Sequence, residues 1–264
     1  MFSTRSLAIL NAVAFIGTIT MNVLANLLPI NDLTTGEVSA LYPNLFTPAG
    51  LTFAIWGLIY TLLGIFTFYQ LVKAFRRRLY KDNFIQDIGL WNFILGLGNM
   101  IWILAWHYLY VGVSVIIMLV MLTSLIIIYR RLEIGKDTRN LKEILLVHIS
   151  FSVYLGWISV ATIANITAFL VAIDWQGFGI SPVTWTIVVM TIAILLGLLY
   201  ILKNQDIFYA AVIIWALFGI YLQRTAEGIL PILAIIITSI IGMILLGIVG
   251  LAAILKRRAY IFQR

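Results

Sequence analysis

The chain has 264 residues, of which 63% are hydrophobic and 10% charged, with a mean hydropathy of +1.09 and a formal net charge of +7. Soluble domains carry about 25% charged residues, so this chain has too little charge to cover a water-facing surface. The excess of positive charge does not mark a nucleic-acid binder, because the basic residues sit in short loops and the C-terminal tail. The lack of Cys removes disulfides and thiolate metal sites.

What the composition predicts instead is an all-α polytopic membrane protein with about eight transmembrane helices, each apolar run being close to the roughly 20 residues of a bilayer span. The first run, about Leu7–Leu28, follows Arg5 and has no small-residue cleavage site, so it reads as a retained span. Asn11, Asn22 and Asn26 fall near one stripe of it. Amides in hydrocarbon need partners, so this stripe is either interhelical glue or the wall of a polar pocket. Pro29 and the Asn31-Asp32 pair end the helix. The loop after it, about Ile30–Pro48, holds Asp32 and Glu37 and no Lys or Arg, with turn signals at Tyr42-Pro43-Asn44 and Thr47-Pro48-Ala49-Gly50. It is either a lid or a plain connection.

The second run, about Leu51–Val72, places Trp56, Tyr60 and Gly64 on one face. Lys73, Arg76, Arg77, Arg78 and Lys81 follow it. The third, about Ile88–Trp106, puts Asn99, Trp102 and Trp106 on a shared face, and Gly96 and Gly98 allow a neighbour to approach. His107 is expected at the interface. The fourth, about Tyr110–Tyr129, is aliphatic and expected to face lipid. The fifth, about Ile144–Val171, carries Tyr154, Trp157, Ala161 and Asn165 on one stripe, with His148 near its basic, wetter end. Three further runs, about Val183–Leu202, Ile207–Leu222 and Leu230–Ile254, complete the set, with Asp206 in a tight turn between the first two of them.

With the N-terminus inside, every one of the 17 Lys and Arg residues except Arg224 lies on the cytoplasmic side, as the positive-inside bias requires. No Lys, Arg, Asp or Glu falls in the middle of an expected span, which argues against a proton-coupled pump. No phosphate-cradling loop, metalloprotease helix or nucleophile elbow is present. Inward-facing Trp, Tyr and Asn remain, a set that suits a flat, amphipathic ligand, with rings for stacking and amides for orientation. Interfacial belts account for Tyr108, Tyr110, Trp175 and Trp185, but less well for Trp56, Trp102 and Trp157.

Three of these stretches resemble the TspO/MBR family, the tryptophan-rich sensory proteins related to the mitochondrial translocator protein. They are Pro48, Trp56, Tyr60 and Gly64; Asn99, Trp102 and Trp106; and Tyr154-Leu155-Gly156-Trp157 with Asn165. Thr47, Ala54 and Val153 stand where the family pattern has Pro. The resemblance covers about residues 5–172 and implies a five-helix membrane unit over 1–175, with a three-helix extension over 176–264. It further implies a receptor or sensor binding a porphyrin or heme-like tetrapyrrole, with no cofactor required. Porphyrin breakdown is implied by the resemblance alone, and no catalytic or metal residue is expected. A small-molecule transporter and a structural membrane subunit are the alternatives. The expected ligand-binding residues are Trp56, Tyr60, Asn99, Trp102, Trp106, Tyr154, Trp157 and Asn165, with Asn22 and Asn26. The expected partners are membrane lipid, a small hydrophobic ligand and a second copy of the chain, but no nucleic acid. The expected location is the bacterial cytoplasmic membrane, with both termini cytoplasmic.

Overall fold

The computed structural model describes residues 2–28, 30–76, 84–136, 141–226, 228, 230 and 232–256. Pro29, Arg77, Arg78, Lys81, Asp137, Arg139, Glu227, Arg257, Arg258 and Arg264 lie outside the described residues. The described residues form helices and loops without a strand. The eight main helices are α1 (Thr4–Leu27), α2 (Ile55–Phe75), α3 (Trp91–His107), α4 (Val111–Arg131), α5 (Ile149–Ala172), α6 (Pro182–Asn204), α7 (Ile207–Thr225) and α8 (Leu233–Leu255).

Seven of them, all but α3, are long and apolar enough to cross a membrane. The eighth expected span is α3, which has 17 residues. At about 1.5 Å per residue it measures roughly 26 Å, near the short limit for a span. Gly89, at φ +58°, turns the chain between α3 and the short helix Phe84–Ile88 and so shortens the run. Before α5 the chain passes through a π-helical turn, Ile144–His148. His148 is buried there, where the sequence led us to expect a wetter position.

The helices pack in two groups. In the first, α1 lies against α2 and α3, α3 against α4, α4 against α5, and α5 against α2. In the second, α6, α7 and α8 pack on one another, and α7 packs along α5. Without a hydrophobic drive between helices in lipid, close packing must hold these contacts. Small residues supply it. A Cβ on Gly96 would meet the Ala14 Cβ at 2.8 Å, so α1 and α3 approach as only Gly allows. Gly156 does the same between α5 and α7, where a Cβ would lie 3.0 Å from Val212 and 3.1 Å from the Tyr209 carbonyl oxygen. The exposed large apolar side chains of α4 are Val113, Ile116, Leu119, Val120 and Ile126, a surface suited to lipid.

One buried carboxyl ties the two helix groups together. Asp206, fully buried, caps the N-terminus of α7 by accepting from the Phe208 and Tyr209 amides at 3.0 and 3.1 Å. Its other oxygen accepts from Tyr129 Oη on α4 at 2.9 Å and from Ser152 Oγ on α5 at 2.5 Å. Burial pushes this carboxyl above its usual range, and the four hydrogen bonds oppose that shift. Beside it Tyr200 stacks on Tyr209 at 3.8 Å, and Asn204 Nδ2 donates to the Ile134 carbonyl at 3.2 Å. Asp206→Ala should therefore lower stability by about 3 kcal/mol, since four buried donors lose their acceptor at once. Thermal melting of the purified variant in detergent checks this, and a melting temperature equal to the parent's would refute it.

Candidate functional site

One end of the bundle holds a cavity of 1740 Å³. That exceeds the roughly 300–1,000 Å³ of ordinary small-molecule sites. Its walls come from the last turns of α1, α5 and α7, the first turns of α2 and α6, and Trp102 of α3. All are at the same end, because alternate helices run in opposite directions. The segment Thr34–Gly50 and the loop between α5 and α6 supply much of the rest.

That segment is built as an ordered cover. Thr34 and Glu37 form a reciprocal cap on the short helix Thr35–Ala40, with the Thr34 amide donating to Glu37 Oε2 at 2.7 Å. The backbone and hydroxyl of Thr34 hold the Glu37 carboxyl below its usual range. Asn44 Oδ1 accepts from the amides of Phe46 and Thr47 at 3.1 and 3.0 Å. Thr47 stands where the resembled pattern has Pro, and this bond uses an amide that Pro would lack. The cover is pinned to the helices at both ends. Trp106 Nε1 donates to the Thr35 carbonyl at 3.2 Å, and Asn31 Nδ2 to the His107 carbonyl at 3.0 Å. His107, expected at the interface, is instead fully buried beneath the cover, with Nδ1 donating to the Ile103 carbonyl at 2.8 Å. On the far side the Ala49 amide donates to the Gly219 carbonyl at 2.9 Å and Trp215 Nε1 to the Thr52 carbonyl at 2.9 Å. Gly219 is required there, because any Cβ would collide with Thr52.

Of the expected site residues, Asn22, Asn26, Trp56, Tyr60 and Trp102 line the cavity. Trp56 is half-buried and stacks on Tyr60 at 5.3 Å, with an interplanar angle of 23°. Behind it stand Tyr154 and Trp157, edge-on at 5.9 and 6.1 Å. Trp102 stacks on Trp106 at 5.6 Å and donates through Nε1 to Asn165 Oδ1 at 3.0 Å. Asn165 in turn donates to Ser114 Oγ at 2.9 Å. Asn22 Nδ2 donates to Asn99 Oδ1 at 2.8 Å, and Asn99 reaches Tyr154 Oη at 3.4 Å. Asn26 Nδ2 donates to the Asn22 carbonyl at 2.8 Å.

Five of the ten residues thus face the space, and Asn99, Trp106, Tyr154, Trp157 and Asn165 buttress them from behind. Asn99 and Asn165 spend their amides inside the protein. The Tyr60 hydroxyl is buried on the cavity wall and makes no hydrogen bond. Asn11, from the same stripe as Asn22, serves as glue and donates to Gln70 Oε1 at 3.1 Å.

The cavity also takes residues that the sequence did not mark. Trp175 and Trp185, assigned from sequence to an interfacial belt, both line it, with ring centroids 5.3 Å apart. Their spacing across a loop gives no helical register, which hid them. Gln223 and Arg224 of α7 line it as well. Among the described residues no group of His, Cys, Asp or Glu could hold a metal ion.

The profile of the TSPO-like protein family matches residues 8–252. The chain belongs to this TSPO-like family. The match runs beyond the stretches that carry the three motifs and includes α6, α7 and nearly all of α8. Neither the curated proteins nor the solved structures yield a match. The family and the seven long apolar helices make this TSPO-like chain an integral membrane protein, and membership points to a membrane sensor or receptor role.

Trp56 is the cleanest probe of the cavity, because its indole supports neighbours by stacking alone among the hydrogen bonds seen here. Trp56→Leu should weaken a ring-stacking ligand by about 1–3 kcal/mol, or five- to a hundredfold. Trp102→Leu should both weaken binding and lower the melting temperature, since it strips Asn165 of a buried donor. Dissociation constants and melting temperatures measured on the same preparations separate the two effects. Unchanged affinity in both variants would remove Trp56 and Trp102 from the site.

Proposed function

We propose that this TSPO-like protein is a membrane receptor for a hydrophobic planar ligand of the porphyrin or heme-like tetrapyrrole class. The observation that carries this reading is the cavity wall. Trp56, Tyr60 and Trp102 present aromatic surface to a space large enough for a macrocycle, and Asn22 and Asn26 line it as polar residues. Rings stack on such a wall, and a few polar groups fix their orientation.

Residues 1–175 supply most of the wall, and 176–264 add a second set of helices to it. A transporter reading draws on the same contribution of α6 and α7. Against it, the lining residues all belong to one end of the bundle, and the other end is filled by the Asp206, Tyr129 and Tyr209 junction. A receptor that fills and empties from one side fits that arrangement better. With the basic loops inside, the cavity end faces outward and both termini are cytoplasmic, in a bacterial cytoplasmic membrane.

Titration of the purified protein with protoporphyrin IX should give a saturable Soret shift with tryptophan quenching. Non-saturable partitioning that is the same in a Trp56→Leu, Trp102→Leu double variant would reject the reading. Uptake into proteoliposomes separates transport from binding, and none is expected above protein-free vesicles. A C-terminal reporter should be active only in the cytoplasm, and activity outside would overturn the orientation.

A further inference from the structure

Among the described residues Arg224 is the one cation on the cavity wall, and no described Asp, Glu or Lys lines the cavity with it. Its side chain is 8% exposed, and its Nε is buried without a hydrogen-bond partner. Among the described residues, the ion pair seen is Lys73 with Glu143 at 3.8 Å, at the opposite end of the bundle. A guanidinium stays charged under all ordinary conditions, and a buried charge without a counter-ion is costly. An Arg at the last turn of a helix ordinarily snorkels to water. This one is covered and borders the space instead.

We infer that the cavity selects an amphipathic anion, with its carboxylate or phosphate held by Arg224 and its apolar body against the Trp56, Tyr60 and Trp102 wall. The guanidinium fork matches either oxyanion with paired hydrogen bonds. Gln223, also on the wall, gives a neutral polar neighbour. Among the described lining residues there is no carboxylate to repel the anion. A neutral ligand of the same shape leaves the Arg224 charge unanswered, so charge discriminates between otherwise identical ligands. This rests on the cavity proposed above as a ligand site, but not on the ligand being a porphyrin.

The test uses the full-length protein in nanodiscs of zwitterionic lipid. Tryptophan quenching is titrated with protoporphyrin IX and its dimethyl ester, and separately with a polyene fatty acid and its methyl ester. The parent should bind each acid about tenfold more tightly than its ester. Arg224→Gln should weaken the acids about tenfold and leave the esters unchanged, which also shows that the variant is folded. Arg224→Lys should recover part of the preference. Equal binding of acid and ester by the parent, or equal loss of both in Arg224→Gln, overturns the inference. If the fatty acid shows the Arg224-dependent preference and porphyrin does not bind, the tetrapyrrole reading falls and the anion site stands. If neither acid binds saturably, the anion site falls. Doping the nanodiscs with an anionic phospholipid distinguishes the source. Competition that disappears in Arg224→Gln assigns the site to a lipid headgroup, and unaltered binding assigns it to a free amphipath.

Discussion

A polar atom in hydrocarbon has no water to bond, so it must find its partner inside the chain. That constraint organises this bundle. Asn22, Asn99 and Tyr154 link α1, α3 and α5. Trp102, Asn165 and Ser114 link α3, α5 and α4. Asn11 and Gln70 link α1 and α2. Each bond costs little to make and much to lose, because its partners cannot turn to solvent. The aromatic wall of the cavity is held in place by this network: Trp102 by Asn165 directly, and Trp56 by the Tyr154 ring against which it packs.

The same constraint shows which atoms remain free for chemistry. With the internal pairs formed, the Tyr60 hydroxyl and the Arg224 Nε remain as buried atoms of wall residues without a hydrogen-bond partner. Both lie at the end of the bundle where the cover segment arches over. The amides expected from the sequence to hold a ligand, Asn99 and Asn165, are consumed in buttressing. Polarity in a span therefore marks a place where helices meet, and whether a ligand meets them there depends on the geometry of the remainder.

Much of the fold was legible because bilayer length acts on long stretches. All eight apolar runs became helices within a few residues of their expected ends, and α3 came out short because Gly89 turns the chain just before it. Residues sharing a helical face, such as Trp56 with Tyr60, also came together as spacing requires. What could not be read was contact between elements far apart in sequence. Trp175 and Trp185 meet the cavity only because a loop folds back over it. His107 is buried only because the cover lies on it. Arg224 stood out in the sequence as the basic residue on the wrong side of the charge count, a fact about topology whose second meaning needed the cavity to be seen.

The three C-terminal helices pack closely on the helices that carry the motifs. The family motifs lie between Pro48 and Asn165, which suggests a complete five-helix unit with an appendage. Close contacts join that unit to α7. Gly156, inside the Tyr154–Trp157 motif, owes its lack of a side chain to α7, which sits against it. Gly219 on α7 likewise makes room for Thr52 and Pro48 of the cover, whose Ala49 amide bonds to the Gly219 carbonyl. A glycine on each side thus records a shared interface, since neither close approach has a use without the other helix. Asp206 adds a third tie at the opposite end. With α7 fixed at both ends of the bundle, its Arg224 reaches the cavity as part of the wall. The second group of helices therefore sets the charge of a space whose aromatic surface comes from the first.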